Sequence, residues 1–586
     1  MTEYALDGKF AEYIEIITNR QLLDTELWEK CVNVFSSGID NADAGWRGEF
    51  WGKMMRGACL IYSVNRSERL YSVLTNAVEG LLKKQTEDGR ISTYRADNEF
   101  YGWDMWSRKY VMTGLQHYCD ICSDGELKAR VMTALRAHAD YIIRNIGKGK
   151  KNILDTGEFW GGVNSASILE PFVRLYRDTK CEKYLEFAAY IVESGGCRDG
   201  NLIDCALEGK APFEFPEQKA YETMSFFEGV LAFYEVTKEE KYLKAVCNFA
   251  QRLLETDVTV IGSCGCTHEL FDNSYQRQTE YIDNIMQETC VTVTLMRFLS
   301  RLYGVTHDKR LTDAIRISAL NALAGALNIN GYEQCSREIN SYLPGMVFDS
   351  YSPLCDSRRG MAIGGFKRFA DGTHFGCCAC IASAGFAVYP LMSISECDNG
   401  FAVNYIVNGR YKFVSADGKE IIFTVSEKKI TLSMPGGSEQ LLIKISCGDE
   451  STSVSAYSDG KKTQINGGYT ALEGEWKDGD EIVLDVKRQL TEKRLNGKSS
   501  LCFGGYVLAA DTAKSGYIPG MKVDFIRDEN GSVIYKIKEP QADEQLRIAV
   551  MTVDGELVLT DYASAGQDGK SIVSAWFITD EKGETK

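Results

Sequence analysis

The segment EKYLKAV (240–246) decides the fold, because related segments recur along the first half of the chain. In each copy a short turn with charged residues leads into apolar residues at helical spacing. The other copies are SERLYSV (67–73), DGELKAR (124–130), EKYLEFA (182–188) and DKRLTDA (308–314). Their equivalent leucines, at 70, 127, 185, 243 and 311, are 57, 58, 58 and 68 residues apart. This period is that of a helical hairpin.

A helical hairpin cannot bury its apolar face alone, so successive hairpins stack into a solenoid or close into a ring. Aromatic and acidic residues recur at the opposite ends of these hairpins, as expected if they converge on one cavity. They are Trp46, Glu49 and Trp51; Tyr101, Trp103, Asp104 and Trp106; Glu158 and Trp160; Tyr221 and Glu222. The alternative is that these side chains only pack between helices. We interpret the pattern as a closed (α/α)6 toroid.

The sequence changes character near residue 396. Helical spacing marks segments such as 125–145, 182–195, 238–256, 287–303 and 309–328. Later segments are short and rich in Val, Ile, Tyr and Phe, as in FAVNYIV (401–407), EIIFTV (420–425), QLLIKIS (440–446) and EIVLDV (481–486). Turn residues separate them, which is typical of a β-sandwich.

A second β block begins at GGYVLAAD (504–511), and the polar stretch RQLTEKRLNGKSS (488–500) is predicted to connect the two blocks. The sequence thus predicts a multidomain protein with a toroid at 1–395, a β-sandwich at 396–490 and a second sandwich-like domain at 491–586. One large β module is also compatible with the pattern.

Composition limits the class of partner. The 586 residues carry a formal net charge of -16, which disfavours nucleic acid and anionic membranes but not a neutral sugar. The N-terminus does not resemble a secretory signal, and no apolar run is long enough to span a membrane. Nineteen cysteines without an export signal point to a reducing compartment, so we expect a cytoplasmic protein. A homodimer is possible.

The segment THFGCCACIASAG (373–385) places Cys377, Cys378 and Cys380 within four residues. Small and apolar residues follow, so Cys377 and Cys378 are predicted at or just before a helix N-terminus. There the backbone N–H groups and the helix dipole stabilise a thiolate.

A second cluster of polar groups lies in QETCVTVTLM (287–296), where Glu288 and Cys290 are two residues apart. This spacing fits a turn or a helix start. Zn²⁺ accepts thiolate and carboxylate in four-coordinate sites, so Glu288, Cys290, Cys377 and Cys378 form a plausible ligand set. The alternatives are buried free cysteines and a vicinal disulfide.

The order of several motifs resembles glycoside hydrolase family 127 and its close relatives. The motifs are GEFWGK (48–53), WGGVNSASILEPFVRLYRDT (160–179), KAYETMSFFEGVLAFYEVT (219–237), GCTHELFDN (265–273), QETCVTVTLM (287–296) and the Cys-Cys doublet. The resemblance covers about residues 40–395, and its most specific elements are Glu-x-Cys and Cys-Cys. It implies a retaining β-L-arabinofuranosidase or a related hydrolase of rare sugars, acting on an arabinofuranoside or a similar oligosaccharide or glycoside.

The resemblance also implies roles for individual residues. Glu288, Cys290, Cys377 and Cys378 would bind Zn²⁺, and Cys377 would in addition be the nucleophile. Glu269 matches the family's acid/base best, with Asp272 as a second candidate. Substrate contacts are expected from Trp103, Trp160, Glu222, His268 and Tyr351. The histidines that several family members place around the sugar have no clear counterparts here.

Two other functions stay open at this point. A toroid could carry another carbohydrate conversion, as in a lyase or an epimerase, although those chemistries use His, Tyr or Arg bases. A carbohydrate-binding protein with an architectural zinc site is the non-enzymatic alternative.

Overall fold

A computed structural model describes most of the chain. The described residues are 3–42, 45–280, 287–331, 334–336, 341–343, 346–348, 353–360, 365–415, 418–435, 437–446, 448, 451–458, 461–464 and 468–579. They form a mostly helical N-terminal part and an all-β C-terminal part, as the change of sequence pattern near residue 396 predicts. No helix among them is both long and apolar enough to cross a membrane.

The helices up to the middle of the N-terminal part are α1 (Lys9–Ile17), α2 (Thr25–Asn33), α3 (Gly48–Asn65), α4 (Glu68–Leu82), α5 (Asp104–Ile121), α6 (Gly125–Asn145), α7 (Val163–Ala166) and α8 (Leu169–Thr179). Those that follow are α9 (Glu182–Glu193), α10 (Leu202–Leu207), α11 (Ala220–Thr237), α12 (Glu240–Thr256), α13 (Ser274–Arg277), α14 (Thr289–Thr306), α15 (Lys309–Ser318) and α16 (Cys377–Leu391). The segments predicted from helical spacing correspond to α6, α9, α12, α14 and α15.

The repeated motif starts the outer helix of each hairpin. In α12, for example, Tyr242, Val246, Phe249 and Leu253 recur at three- and four-residue spacing and are buried, whereas the opposite face is partly exposed. The helices α4, α6, α9, α12 and α15 each pack on the helix that precedes them, namely α3, α5, α8, α11 and α14.

The preceding helices form the inner wall. Within the described residues, α3, α5, α8, α11, α14 and α16 contact one another in this order, and α16 contacts α3. The apolar α16 is buried on all sides, as expected for a helix inside such a ring. The N-terminal ends of the ring helices hold the polar residues of the candidate site.

The strands up to residue 414 are β1 (Glu3–Leu6), β2 (Gly196–Cys197), β3 (Gly200–Asn201), β4 (Gln334–Ser336), β5 (Ser341–Leu343), β6 (Phe366–Arg368), β7 (His374–Gly376), β8 (Ile394–Cys397), β9 (Gly400–Val403) and β10 (Gly409–Val414). Those up to residue 495 are β11 (Glu420–Val425), β12 (Lys429–Ser433), β13 (Glu439–Ser446), β14 (Thr452–Tyr457), β15 (Lys461–Gln464), β16 (Tyr469–Trp476), β17 (Glu481–Arg488) and β18 (Leu490–Leu495). The last are β19 (Lys498–Phe503), β20 (Tyr506–Asp511), β21 (Tyr535–Lys538), β22 (Arg547–Thr552), β23 (Gly555–Asp561), β24 (Val573–Ser574) and β25 (Phe577–Ile578).

Three larger sheets make up the β part. The first has the order β1-β10-β11-β12-β17-β14, and the second has the order β15-β16-β13-β9-β8. The third runs β18-β19-β20-β23-β22-β21, with β24 beside β20 and β25 beside β19. The N-terminal strand β1 pairs antiparallel with β10, so the first residues of the chain tie the helical part to the first sheet. The boundaries at residues 395 and 490 stay predictions.

The prediction that residues 488–500 connect the two β blocks is wrong. It contains most of a β-hairpin, in which Leu495 of β18 lies opposite Lys498 of β19. The two residues between them, Asn496 and Gly497, have φ angles of 51° and 72°. Asn-Gly is the preferred pair for such a two-residue hairpin turn, because both positions require positive φ.

Candidate metal centre and active-site pocket

Two neighbouring ring helices bring four metal-binding side chains together at their N-termini. Glu288 is the N-cap residue of α14, and Cys290 lies in its first turn. Cys377 and Cys378 are the first two residues of α16. Both helices therefore direct the positive ends of their dipoles at the same point, where they favour negatively charged groups. The predicted position of each pair at a helix start is confirmed.

The spacing of these four groups fits a single metal ion. Their ligand atoms all lie within 4.8 Å of one another, and all four side chains are buried. The Cys378 sulfur is 3.5 Å from the sulfur of Cys290 and 3.5 Å from Oε1 of Glu288. The Cys377 sulfur is 4.0 Å from that of Cys378 and 3.8 Å from Oε1 of Glu288.

Tetrahedral zinc sites are slightly more compact than this cluster. Bonds of about 2.3 Å to sulfur and about 2.0–2.2 Å to oxygen place neighbouring ligand atoms roughly 3.5–3.8 Å apart. In addition, the buried Oε2 atom of Glu288 has no hydrogen-bond partner among the described residues, which is costly unless a cation binds it. These four residues could therefore hold a metal ion, and their donor set suits Zn²⁺.

Electrostatics distinguish the three thiols. Hydrogen bonds from Cys290 and Cys378, with the charges of Lys53 and Lys219, hold the pKa of Cys377 well below its usual range. Burial raises the pKa of the thiols of Cys290 and Cys378 well above theirs. The ammonium group of Lys53 is 3.9 Å from the Cys290 sulfur and 2.9 Å from Oε1 of Glu49. Of the three thiols, Cys377 is thus the one whose surroundings favour the thiolate.

A cavity of about 280 Å³ opens beside this cluster. Its wall contains aromatic, acidic and basic side chains, namely Trp46, Glu49, Lys53, Trp103, Trp106, Phe159, Trp160, Lys219, Tyr221, Glu222, Glu269, Glu288 and Cys377. Of the three thiols in the cluster, Cys377 alone belongs to this wall. Aromatic faces with a few convergent polar groups are typical of sites that bind small molecules such as sugars.

Glu269 reaches this cavity from a tight turn. Both His268 and Glu269 have positive φ angles, 52° and 64°. The backbone oxygen of Glu269 accepts a hydrogen bond from the N–H of Ala220, and its side chain forms an ion pair with Lys219. The Lys219 ammonium in turn lies 4.8 Å from the centre of the Trp160 ring. This turn directs the carboxylate into the pocket.

The other acid/base candidate, Asp272, makes different contacts. Its carboxylate accepts a hydrogen bond from the N–H of Thr267 and lies 3.1 Å from Arg277. It is not part of the cavity wall. These contacts stabilise the turn that carries Glu269.

The remaining predicted substrate contacts divide into three groups. Trp103, Trp160 and Glu222 lie in the cavity wall. His268 is exposed and is not part of that wall. Tyr351 lies outside the described residues.

Two carboxyl groups in the pocket have pKa values raised by their surroundings. Burial raises the pKa of Glu49 to about 7 and that of Glu222 to about 7. Glu49 accepts hydrogen bonds from Lys53 and from the indole of Trp106. The Oε2 atom of Glu222 has no hydrogen-bond partner among the described residues, so it is available to a ligand.

The sequence-based prediction missed Lys53, Lys219 and Phe159. Lys53 lies four residues after Glu49, so their side chains share one face of a helix. A charged pair inside a mostly apolar helix was the sequence signal that could have identified Lys53. Lys219 directly precedes the buried start of α11. Phe159 precedes Trp160, and its side chain is 55% exposed at the cavity.

One glycine is required beside the nucleophile candidate. The backbone oxygen of Gly365 accepts a hydrogen bond from the N–H of Cys377. Gly365 has a φ of +68°, and a Cβ atom added there would lie 2.2 Å from the Cys377 sulfur. Only a residue without a side chain fits this position.

Comparisons with known proteins agree with this architecture. A family model described as β-L-arabinofuranosidase, GH127 catalytic domain, matches residues 7–336. The match includes Glu269, Glu288 and Cys290 and ends before the cysteine doublet. No match to the sequence was found among curated proteins.

Several solved structures share the fold along the whole chain. A GH127 β-arabinofuranosidase is 16% identical with a TM-score of 0.73, covering 98% of this chain and 96% of that one. A GH127 β-L-arabinofuranosidase from Geobacillus stearothermophilus T6 is 15% identical with a TM-score of 0.71, covering 98% and 100%. A third structure, described as a glycoside hydrolase, is 14% identical with a TM-score of 0.73, covering 99% and 96%.

Proposed function

This chain belongs to glycoside hydrolase family 127, and from this premise we propose that it is a retaining, exo-acting β-L-arabinofuranosidase or a hydrolase of a related rare sugar. The observation that carries the proposal is the position of Cys377. It is part of the four-residue cluster that could hold a metal ion, and it alone among the three thiols lines the cavity.

We propose Glu288, Cys290, Cys377 and Cys378 as ligands of Zn²⁺. When bound, the ion would keep Cys377 deprotonated and compensate the charge of the other ligands. The orphaned oxygen of Glu288 and the ligand spacings support this assignment.

In the first step of the proposed reaction, the Cys377 sulfur attacks the anomeric carbon. A C–S bond forms, the glycosidic C–O bond breaks, and Glu269 gives its proton to the departing oxygen. The ammonium group of Lys219 lies beside this carboxyl group, so it compensates the negative charge that Glu269 carries once the proton has left. The product of this step is a glycosyl group attached to Cys377.

In the second step, Glu269 takes a proton from water as the water oxygen bonds to the anomeric carbon and the C–S bond breaks. Two inversions at one carbon give net retention of configuration. Retaining glycosidases usually employ two carboxyl groups for these roles, and here a cysteine replaces the nucleophilic one.

The pocket wall supports a sugar as the substrate. Trp103 and Trp160 present aromatic faces, and Glu222 presents a buried carboxyl oxygen that has no hydrogen-bond partner among the described residues. We propose that these groups bind the arabinofuranosyl ring and its hydroxyls.

We also propose that the helical part is an (α/α)6 toroid over residues 1–395, followed by β-sandwich domains at 396–490 and 491–586. The closed ring of α3, α5, α8, α11, α14 and α16, with an outer helix after five of them, supports the toroid. A cytoplasmic location and a homodimer stay predictions.

Stereochemistry tests this function directly. Hydrolysis of an aryl β-L-arabinofuranoside, followed by proton NMR from the first turnovers, should release the β-anomer before mutarotation. First release of the α-anomer would exclude the two-step reaction. No release of sugar from any aryl glycoside of the rare pentoses would exclude the proposed substrate class.

A further inference from the structure

A second cavity lies at the end of the helical ring opposite to the metal centre. Its volume is about 640 Å³, compared with about 280 Å³ for the candidate active site. All six ring helices contribute to its wall, five of them through residues in their later turns, such as Leu60 of α3 and Val388 of α16. The proposed hydrolysis does not use this cavity.

Positive charge dominates the wall of this cavity, which we call the rear cavity. Five cationic side chains line it, namely Arg174, Arg177, Lys180, Arg297 and Arg301. Only two carboxylates, Glu170 and Glu235, belong to the same described wall. In a chain with a net charge of -16, the wall itself thus carries more cations than carboxylates, and three carboxylates outside the wall, Glu228, Asp120 and Asp178, also pair with these cations.

Ion pairs compensate part of this excess. Arg301 binds both wall carboxylates, with N–O distances of 3.0 Å to Glu170 and 3.0 Å to Glu235. Arg297 lies 3.2 Å from Glu228, which is buried behind the wall. The inner surface of the cavity is therefore held in place by a fixed network, and its carboxylates are already paired.

The cations nearer the opening are less compensated. Arg174 pairs with Asp120, whose side chain is 56% exposed, so solvent and salt weaken that attraction. The Nη2 atom of Arg174 lies 2.5 and 2.6 Å from the two Asp120 oxygens and 3.0 Å from the Gln116 carbonyl oxygen. Its buried Nε atom has no hydrogen-bond acceptor among the described residues and lies 3.8 Å from the Asp178 carboxylate. Arg177 and Lys180 are exposed, and the nearest carboxylate to Arg177 is that of Asp178 at 3.4 Å. These three side chains are able to donate hydrogen bonds to a ligand.

Two further cations lie deeper in the ring. Arg56 and Lys109 are buried, and the charges of both interact with Glu228 and Glu170. Within the described part of the chain, Nε and Nη2 of Arg56 and Nζ of Lys109 have no hydrogen-bond acceptor. Burial lowers the pKa of Lys109 to about 7, so at and above neutral pH it is mainly Arg56 that adds to the positive potential behind the rear cavity.

Helix dipoles favour Arg177 in the last turn of α8 and Lys180 at its C-cap, but they do not account for Arg174 and Arg301. Cations are stabilised near helix C-termini, but the effect falls off within the last turn, or about 3.6 residues. Arg174 lies five residues before the end of α8, and Arg301 lies five residues before the end of α14.

We infer that the rear cavity binds a small phosphate-bearing anion through Arg174, Arg177 and Lys180. The planar guanidinium group donates two parallel hydrogen bonds to phosphate, and Lys180 adds a point charge. The volume falls within the usual range for small-molecule sites, roughly 300–1,000 Å³. Apolar wall residues such as Val173 and Leu391 leave room for an organic group attached to the phosphate.

Calorimetric titration of the full chain tests this inference without any glycoside. The probes are inorganic phosphate and ribose 5-phosphate, with ribose and chloride at matched ionic strength as controls. We expect at least one phosphate probe to bind with a dissociation constant on the order of 1 mM or tighter. Tighter binding of ribose 5-phosphate points to an organic phosphate, and equal binding points to phosphate itself. Heat no larger than that of chloride for both probes would overturn the inference.

Substitutions in the wall of the rear cavity test whether phosphate binds there. Arg174→Gln should weaken phosphate binding by about tenfold or more, because one charge-assisted contact is lost. The matched control is Arg252→Gln, because Arg252 is a partly exposed arginine of α12 that is paired with Glu255 and is not part of this wall. If Arg174→Gln does not fold, the double variant Arg177→Gln/Lys180→Gln replaces it, since both side chains are exposed. Unchanged phosphate binding in these variants would show that the arginines only hold the helices together. Metal content and hydrolysis should not change in any of them.

Discussion

Substitution of Gly365 by alanine should disable the enzyme through a single methyl group. The added Cβ atom would lie 2.2 Å from the Cys377 sulfur, whereas nonbonded atoms of this size require about 3.5 Å. The sulfur must then move by about 1.3 Å, the difference between these two distances, unless the backbone yields. A misplacement of about 1 Å costs roughly a hundredfold in rate, or about 2.7 kcal/mol.

Backbone strain has to be separated from this effect. Gly365 has a φ of +68°, so alanine there also costs roughly 1–2 kcal/mol of folding free energy. Gly372 provides the matched control because its φ is +91° and an added Cβ would meet only the flexible end of Arg368. Both variants should lose similar stability in urea unfolding, and Gly365→Ala alone should lose kcat. Activity of Gly365→Ala within about threefold of Gly372→Ala would refute the reasoning, because a shift of this size costs far more.

Three further predictions concern the pocket. Glu269→Gln should lower kcat/KM on an alkyl glycoside by about 10²–10⁴-fold. Asp272→Asn should chiefly lower the stability of the fold, and a comparable loss of kcat/KM in both variants would contradict the acid/base assignment. Phe159→Ala should raise KM for an aryl glycoside more than for a methyl glycoside, because the exposed ring lies at the cavity where it would contact the leaving group. Equal increases in KM for the two substrates would exclude a contact between Phe159 and the leaving group. Burial raises the pKa of Glu222 to about 7. The neutral form of this side chain therefore contributes to the free energy of unfolding below the usual pKa of a glutamate, and this contribution is lost as the pH rises through about 7. Between about pH 5 and pH 8, Glu222→Gln should therefore gain on the order of 3 kcal/mol in free energy of unfolding relative to the wild type. Urea unfolding at several pH values measures this gain, and a difference that does not change with pH would contradict the prediction.

Local sequence patterns predict much of the helical part and the metal cluster. Helical hairpins follow from the spacing of Leu70, Leu127, Leu185, Leu243 and Leu311, because one turn-and-helix unit repeats and its apolar face has to be covered. The cluster that could hold a metal ion follows from two short motifs, Glu288-x-Cys290 and Cys377-Cys378, because Zn²⁺ accepts thiolate and carboxylate ligands together.

Other features depend on contacts that no local pattern contains. The strand Glu3–Leu6 is too short to identify, and it forms because residues 409–412 lie beside it in the folded chain. Glu269 reaches the pocket through a turn with two positive φ angles and through an ion pair with Lys219, fifty residues earlier. The hairpin at Asn496-Gly497 was predictable from its turn residues, but the many charges of strand β18 concealed it.

The identity of the nucleophile is tested most directly by covalent labelling. An arabinofuranose-like bromoacetamide or epoxide should inactivate the enzyme, and peptide mapping by mass spectrometry should find the label on Cys377. Cys380 serves as the internal control, because it is also buried and its sulfur contacts the Gly376 carbonyl oxygen at 3.1 Å instead of the cavity. Labelling of Cys377 with loss of activity is the predicted result. Inactivation with the label on Glu269 or Glu222 and an unmodified Cys377 would contradict the cysteine mechanism.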